Sequence, residues 1–274
     1  MKKKLFALLL VATVILSVAA FGLGASQQRE RAREHDRGSE DSDFTEKDEF
    51  HQTYQLSAGA RVEVKGINGA VEIETAPGSV AEVNIVRSAR TREDLEFHKV
   101  LVEQTANTLV VQGEKDRSGG ERGHNVRQRV TLKLPRQVDL DVRGINGRTT
   151  VGEIDGPVTL SGINGRVEVA QAMGYSDIRG INGQVRMTIS RLGERGINLA
   201  GINGGVELFF SEELNADLDV TGINGSVTPA VANVTILGKI DRQNFHAKIG
   251  AGGSPIKVSG VNGHVKLSRV GAPG

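Results

Sequence analysis

Apolar and polar residues alternate with a period of two along most of this 274-residue chain, and the alternation keeps time with a recurring four-residue phrase. Gly-Ile-Asn-Gly occurs six times and Gly-Val-Asn-Gly once, with asparagines at Asn68, Asn146, Asn164, Asn182, Asn203, Asn224 and Asn262. Four residues before each asparagine stands an aliphatic residue (Val64, Val142, Leu160, Ile178, Leu199, Val220, Val258). Immediately before it come six isoleucines and Val261, and three after it Val71, Thr149, Val167, Val185, Val206, Val227 and Val265. Six before it, only Ser176 interrupts an aliphatic column. Lys, Arg, Glu, Gln, Ser and Thr fill the positions between. This pattern predicts two short strands, each with one buried face, on either side of a corner.

The asparagines lie 78, 18, 18, 21, 21 and 38 residues apart, and the two long gaps are close to multiples of 19 to 20. A phrase that skips positions yet stays in phase points to stacked coils. The expected fold is therefore all-β, a parallel β-solenoid of about ten coils of 18–21 residues with Gly-Ile-Asn-Gly corners. Glycine takes positive φ without steric cost, and asparagine tolerates the left-handed region better than other non-glycine residues. Asparagines in register can also hydrogen-bond along the stack. Gly156 and Gly174, each ten residues after an asparagine, mark a second corner. An antiparallel meander of Asn-Gly hairpins is the competing arrangement, but it leaves the preceding Gly and Ile unexplained.

The ends divide the chain further. Lys2–Lys4 and the apolar run to Ala25 read as a signal peptide or membrane anchor over residues 1–25. Residues 26–49 read as a charged, disordered stalk, residues 50–268 as the repeat domain and 269–274 as a tail. Thr91-Arg92-Glu93-Asp94 opens a short helical segment with Thr91 as N-cap, and Lys115–Gly123 reads as an exposed loop. The C-terminal solenoid edge has no evident cap and is a candidate site for self-association.

The exported N-terminus, Arg61-Val-Glu-Val-Lys-Gly-Ile-Asn-Gly-Ala-Val-Glu-Ile, Leu134-Pro135 and the ending Pro255-Ile-Lys-Val-Ser-Gly-Val-Asn-Gly-His-Val-Lys-Leu together resemble the bacterial putative-adhesin domains of unknown function, including the head-GIN group. The resemblance covers about residues 50–268. It implies a β-helical domain that is extracytoplasmic (periplasmic, surface-exposed or secreted), tethered to the inner membrane if the leader is retained. It supplies no catalytic or binding residues.

Nothing in the chain calls for a cofactor, and it has no cysteine for disulfides or lipid attachment. The six histidines lack metal-ligand spacing. Phosphate-loop and nucleophile-elbow motifs are absent. In the outward column four after each asparagine, acids alternate with Thr, Arg or Lys, unlike the paired carboxylates of a glycosidase. Asp139, Asp141, Asp155 and Asp177 are the best acidic candidates, yet the chain reads as non-enzymatic. Arg143, Arg148, Arg166 and Arg179 flank the corners and form a candidate basic edge for an acidic glycan or other anion. The net charge of +1 contains +3 from Lys2–Lys4 and −4 from residues 26–50, leaving about +2 on the repeat domain. That excludes nucleic acid as an expected partner and leaves envelope or extracellular polysaccharide, with membrane contact only through residues 5–25. The expected role is an adhesive or surface-binding module, with a spacer or self-assembling solenoid, and after it a β-helix polysaccharide lyase or hydrolase, as alternatives.

Overall fold

The computed structural model describes residues 44–115, 126–171, 174–211, 213–229, 234–237 and 244–270. The leader, most of the stalk, most of the Lys115–Gly123 loop and the last four residues lie outside the described residues. Among the described residues the fold is all-β apart from one six-residue helix.

Glu46–Gln55 (β1) precedes the first strand–corner–strand unit, Ala60–Lys65 (β2) and Gly69–Ala76 (β3). An excursion follows through Val80–Ala89 (β4), the helix Arg92–Phe97 (α1), His98–Gln104 (β5), Thr108–Lys115 (β6) and Val126–Pro135 (β7). Four units then run without interruption. They are Val138–Arg143 (β8) with Thr149–Ile154 (β9), Val158–Asn164 (β10) with Val167–Gln171 (β11), Ser176–Asn182 (β12) with Val185–Ile189 (β13), and Ile197–Asn203 (β14) with Val206–Phe210 (β15). Ala216–Ile223 (β16) and Val227–Pro229 (β17) form the sixth unit. Val234–Ile236 (β18) and Asn244–Ile249 (β19) intervene before the seventh, Ser254–Val261 (β20) with Val265–Arg269 (β21).

The first strand of every unit enters an eleven-stranded sheet ordered β18-β19-β16-β20-β14-β12-β10-β8-β2-β6-β5. The second enters a ten-stranded sheet ordered β1-β4-β7-β3-β9-β11-β13-β15-β21-β17. The two strands flanking a corner therefore belong to different sheets, which rules out the hairpin meander. Between units the pairing is parallel and in register, so Val158, Ser176, Ile197, Ile256 and Leu218 form one continuous row. At the ends β1, β4 and β7 pair antiparallel, as do β5 with β6 and β19 with both β16 and β18. Both sheets are thus mixed.

A stack of ten sequential coils is not what these strands form. The 78-residue gap spans a single step of the stack, because β2 pairs directly with β8 and β3 with β9. The intervening residues add the antiparallel excursion and place β6 and β7 on the far side of β2 and β3. At the other end β20 inserts between β14 and β16, and β21 between β15 and β17. The last described strand, β21, is accordingly an interior strand of its sheet and does not form the open edge expected at the C-terminal end. Equal columns of aliphatic residues make any unit fit beside any other, so sequence spacing is silent about stacking order. β1 also begins inside the segment read as stalk.

The aliphatic columns make one core, in which Val64, Val142, Leu160, Ile178, Leu199, Val220 and Val258 have no exposed surface. Each such side chain contributes roughly 1.5–3 kcal/mol on burial, enough for a chain without disulfides to hold its sheets together. In α1 the Thr91 hydroxyl accepts the Asp94 N–H at 3.2 Å, and Leu95 joins Ala89 and Val126 in a satellite cluster. Two residues break the apolar columns, Thr149 and Ser176, and both hydroxyls are buried without a hydrogen-bond partner. Burying an unsatisfied hydroxyl is unfavourable. Thr149→Val and Ser176→Ala are each expected to stabilise the protein by about 1 kcal/mol, read as a higher urea midpoint with an unchanged slope.

Candidate functional site

Each corner divides its work among four residues. In Gly162-Ile163-Asn164-Gly165, Gly162 has φ +61° and turns the chain out of its sheet. Ile163 points into the core and is buried. Gly165, at φ +154°, stacks so closely that a Cβ there would lie 2.3 Å from the Gly147 carbonyl oxygen. No non-glycine residue among those described has positive φ. Asparagine therefore does not occupy the left-handed region as its propensity suggested; the first glycine does, and the asparagine side chain is left to face outward. Gly156 and Gly174 stack in the same manner at a second corner, where a Cβ on Gly174 would come within 1.8 Å of Gly156 O.

All seven asparagines are exposed, and their amides join in single file. Nδ2 of Asn146 donates to Oδ1 of Asn68 at 2.8 Å, Asn164 to Asn146 at 3.0 Å, Asn182 to Asn164 at 3.1 Å and Asn203 to Asn182 at 3.1 Å. The line continues from Asn262 to Asn203 at 3.1 Å and from Asn224 to Asn262 at 3.0 Å. Every bond runs in the same direction, an arrangement in which each amide polarises the next. The Asn68 end abuts Gln128 of β7, a buried side chain whose Oε1 accepts the Asn68 N–H at 3.0 Å. Sequence reading missed Gln128. It lies outside any corner phrase, and only the alternation of Val130, Leu132 and Leu134 after it signals a strand in the same register. At the other end, Asn224 Oδ1 accepts no bond among the described residues.

The four arginines of the expected basic edge are placed differently from one another. Arg143 lies in a charge network in which Arg61 reaches Glu63 at 2.8 Å, Asp141 at 2.8 Å and Asp139 at 3.3 Å, while Arg143 reaches Glu63 at 3.0 Å. Arg179 holds Asp177 at 2.6 Å, and Arg166 stands 3.7 Å from Glu168. Arg148 is exposed with no carboxylate partner among the described residues. Arg148 and Arg166 occupy adjacent units beside the ladder. Arg143 and Arg179 lie on its other flank, separated by Ser161. The structure thus brings together one pair, and carboxylates engage three of the four.

The acidic candidates are similarly engaged, since Asp155 pairs with Arg136 at 3.2 Å and Asn198 adds a 2.9 Å bond to Asp177. His51 and His246 face Glu82 and Asp219, and His264 shares a 2.9 Å bond with Ser226. No cluster of metal-ligating side chains occurs among the described residues. At the strand ends away from the corners, a groove of about 260 Å³ runs between the turns at Leu56–Ala58, Ala76–Ser79 and Pro135–Gln137. Ser57, Ser79, Arg136, Gln137 and Asp155 are its polar lining, and Arg136 and Asp155 are paired with each other.

No family model and no curated protein matches the chain. Among solved structures it is similar to a putative cell adhesion protein from Clostridium sporogenes, at 10% identity over 82% of this chain and 100% of that one, with a TM-score of 0.38. A putative adhesin from Bacteroides fragilis matches at 10% identity over 80% and 97%, with a TM-score of 0.31. One from Parabacteroides merdae matches at 9% over 81% and 96%, with a TM-score of 0.26. Scores this low transfer neither residue roles nor activity.

The charge network has a pH signature. The bond from Arg61 holds the Glu63 carboxyl below its usual range. A depressed carboxyl stabilises the fold above its unfolded value of about 4.3, and that contribution disappears as the pH falls through the folded value. Glu63→Gln is expected to lower stability at neutral pH by about 1 kcal/mol, allowing for screening of the half-exposed Arg61. The gap between variant and parent in urea midpoint should close as the pH is lowered past about 4.

Proposed function

We propose that this chain is an exported, non-enzymatic module of the cell envelope, an adhesive or surface-binding protein whose parallel core is a short β-solenoid. The observation that carries this reading is the exposed line of seven asparagines joined by six side-chain bonds. An amide has two N–H donors and two acceptor lone pairs. Within the line each inner asparagine spends one of each on its neighbours, leaving a donor and an acceptor toward solvent. These repeat at the strand spacing of about 4.8 Å. Identical weak sites in a row suit an extended polymer with regularly placed hydroxyls, such as a polysaccharide, because each further contact becomes intramolecular once the first is made. Arg148 and Arg166 on one flank add affinity for acidic variants of the polymer.

A second reading, end-to-end self-assembly, is favoured by the short edge strand β17, which covers only Val227–Pro229 against a five-residue neighbour. Sedimentation at increasing concentration tests it.

Binding of the purified chain to panels of neutral and acidic polysaccharides, at low and high salt, tests the main reading. Binding through the ladder is expected to survive salt and to fall about tenfold in Asn164→Ser plus Asn182→Ser, which removes two of the multivalent contacts. Binding through the arginines is expected to weaken with salt and in Arg148→Ser plus Arg166→Ser. Failure to bind any polysaccharide overturns the reading in favour of spacer or self-assembly.

A further inference from the structure

Seven exposed asparagines each followed by glycine pose a chemical question, since glycine has no Cβ to hinder attack by its own backbone nitrogen on the preceding side chain. In that reaction the glycine nitrogen loses its proton to solvent base and bonds to the asparagine Cγ. The Cγ–Nδ2 bond breaks, ammonia leaves, and a five-membered succinimide remains. Water then opens either carbonyl of the ring, leaving aspartate or isoaspartate.

Three inner members of the ladder are held against this. Asn164, Asn182 and Asn203 each have both side-chain amide atoms bonded to neighbouring asparagines. Their following glycines also donate their N–H groups onward, Gly165 to Asn182 O at 3.0 Å, Gly183 to Asn203 O at 3.0 Å and Gly204 to Asn262 O at 3.1 Å. The nucleophile and the electrophile are both tied, and the reacting atoms cannot meet without opening the stack.

Asn224 differs from these three on every count. Its ladder position is last, so a single side-chain bond, Nδ2 to Asn262 Oδ1, holds it. The Gly225 N–H, like that of Gly263, has no acceptor among the described residues. Gly225 is exposed, whereas the six equivalent glycines are half-buried. We infer that Asn224 is a built-in modification site, where the chain deamidates itself with water as the only co-reactant while Asn164, Asn182 and Asn203 are protected. The product places a carboxylate oxygen where Nδ2 stood, facing the Asn262 Oδ1. Two acceptors then oppose each other, the last ladder bond is lost, and a neutral end becomes anionic. This holds whatever the ladder binds.

The comparison is internally controlled, since six of the seven sites share Ile-Asn-Gly and the seventh is Val-Asn-Gly. The full chain would be incubated folded, in mildly acidic and mildly alkaline buffers, and mapped by peptide mass spectrometry that separates asparagine, aspartate and isoaspartate. Conversion at Asn224 is expected to run on the order of tenfold or more ahead of Asn164, Asn182 and Asn203, each of which must first open locally. It should accelerate with pH, as the attacking nitrogen must be deprotonated. In concentrated urea the rates should converge. Equal rates in the folded chain, or a lead for Asn224 that persists unchanged in urea, would overturn the assignment.

Discussion

The whole arrangement depends on how closely successive corners approach. At the last glycine of a phrase the backbone of one unit passes so near the carbonyl of the next that a single added carbon would lie 2.0–2.3 Å from it. That approach sets the vertical spacing and brings the asparagine amides within hydrogen-bonding distance of one another. With the spacing held, the isoleucine or valine of every corner lands in the core and the flanking strands enter opposite sheets in register. Packing, corner geometry and surface chemistry follow from one steric allowance.

The same regularity explains the order of the stack. A unit carries the same columns as every other, so its neighbours need not be its neighbours in sequence. The 78-residue excursion leaves the stack and returns one step further along, having built an antiparallel border from β1, β4 and β7. At the far end β20 and β21 slot inside β16 and β17. Parallel stacks expose unpaired strand edges, and antiparallel strands such as β19 and β18 shorten and cover the edge of one sheet.

Several charges on the outer faces are paired within the protein. Arg61, Glu63, Asp139, Asp141 and Arg143 form one network across two strands. Arg186 of β13 meets Glu207 of β15 at 2.7 Å and lies over the Phe209 ring. Opposite signs at facing positions stabilise parallel neighbours modestly and leave little net field for a polyanion. Of the four corner arginines only Arg148 keeps its charge unpaired among the described residues, and beside it the asparagine line keeps spare hydrogen-bonding capacity.

Alternation and the repeated phrase were enough to identify strands, corners, the buried columns down to the exceptions Thr149 and Ser176, the short helix capped by Thr91, and the capacity for an asparagine ladder. These are local properties, set by side-chain period, glycine sterics and amide chemistry. The tertiary structure alone decided that Asn68 touches Asn146, that Asn262 lies between Asn203 and Asn224, that Gln128 closes one end and that Asn224 ends the other. It also decided that Arg143 and Arg179 are spent on Glu63 and Asp177 while Arg148 is not. The physical reason is that interchangeable units carry no address. Their order is fixed by the excursions between them, and the pairing of a surface charge depends on which unit comes to lie beside it.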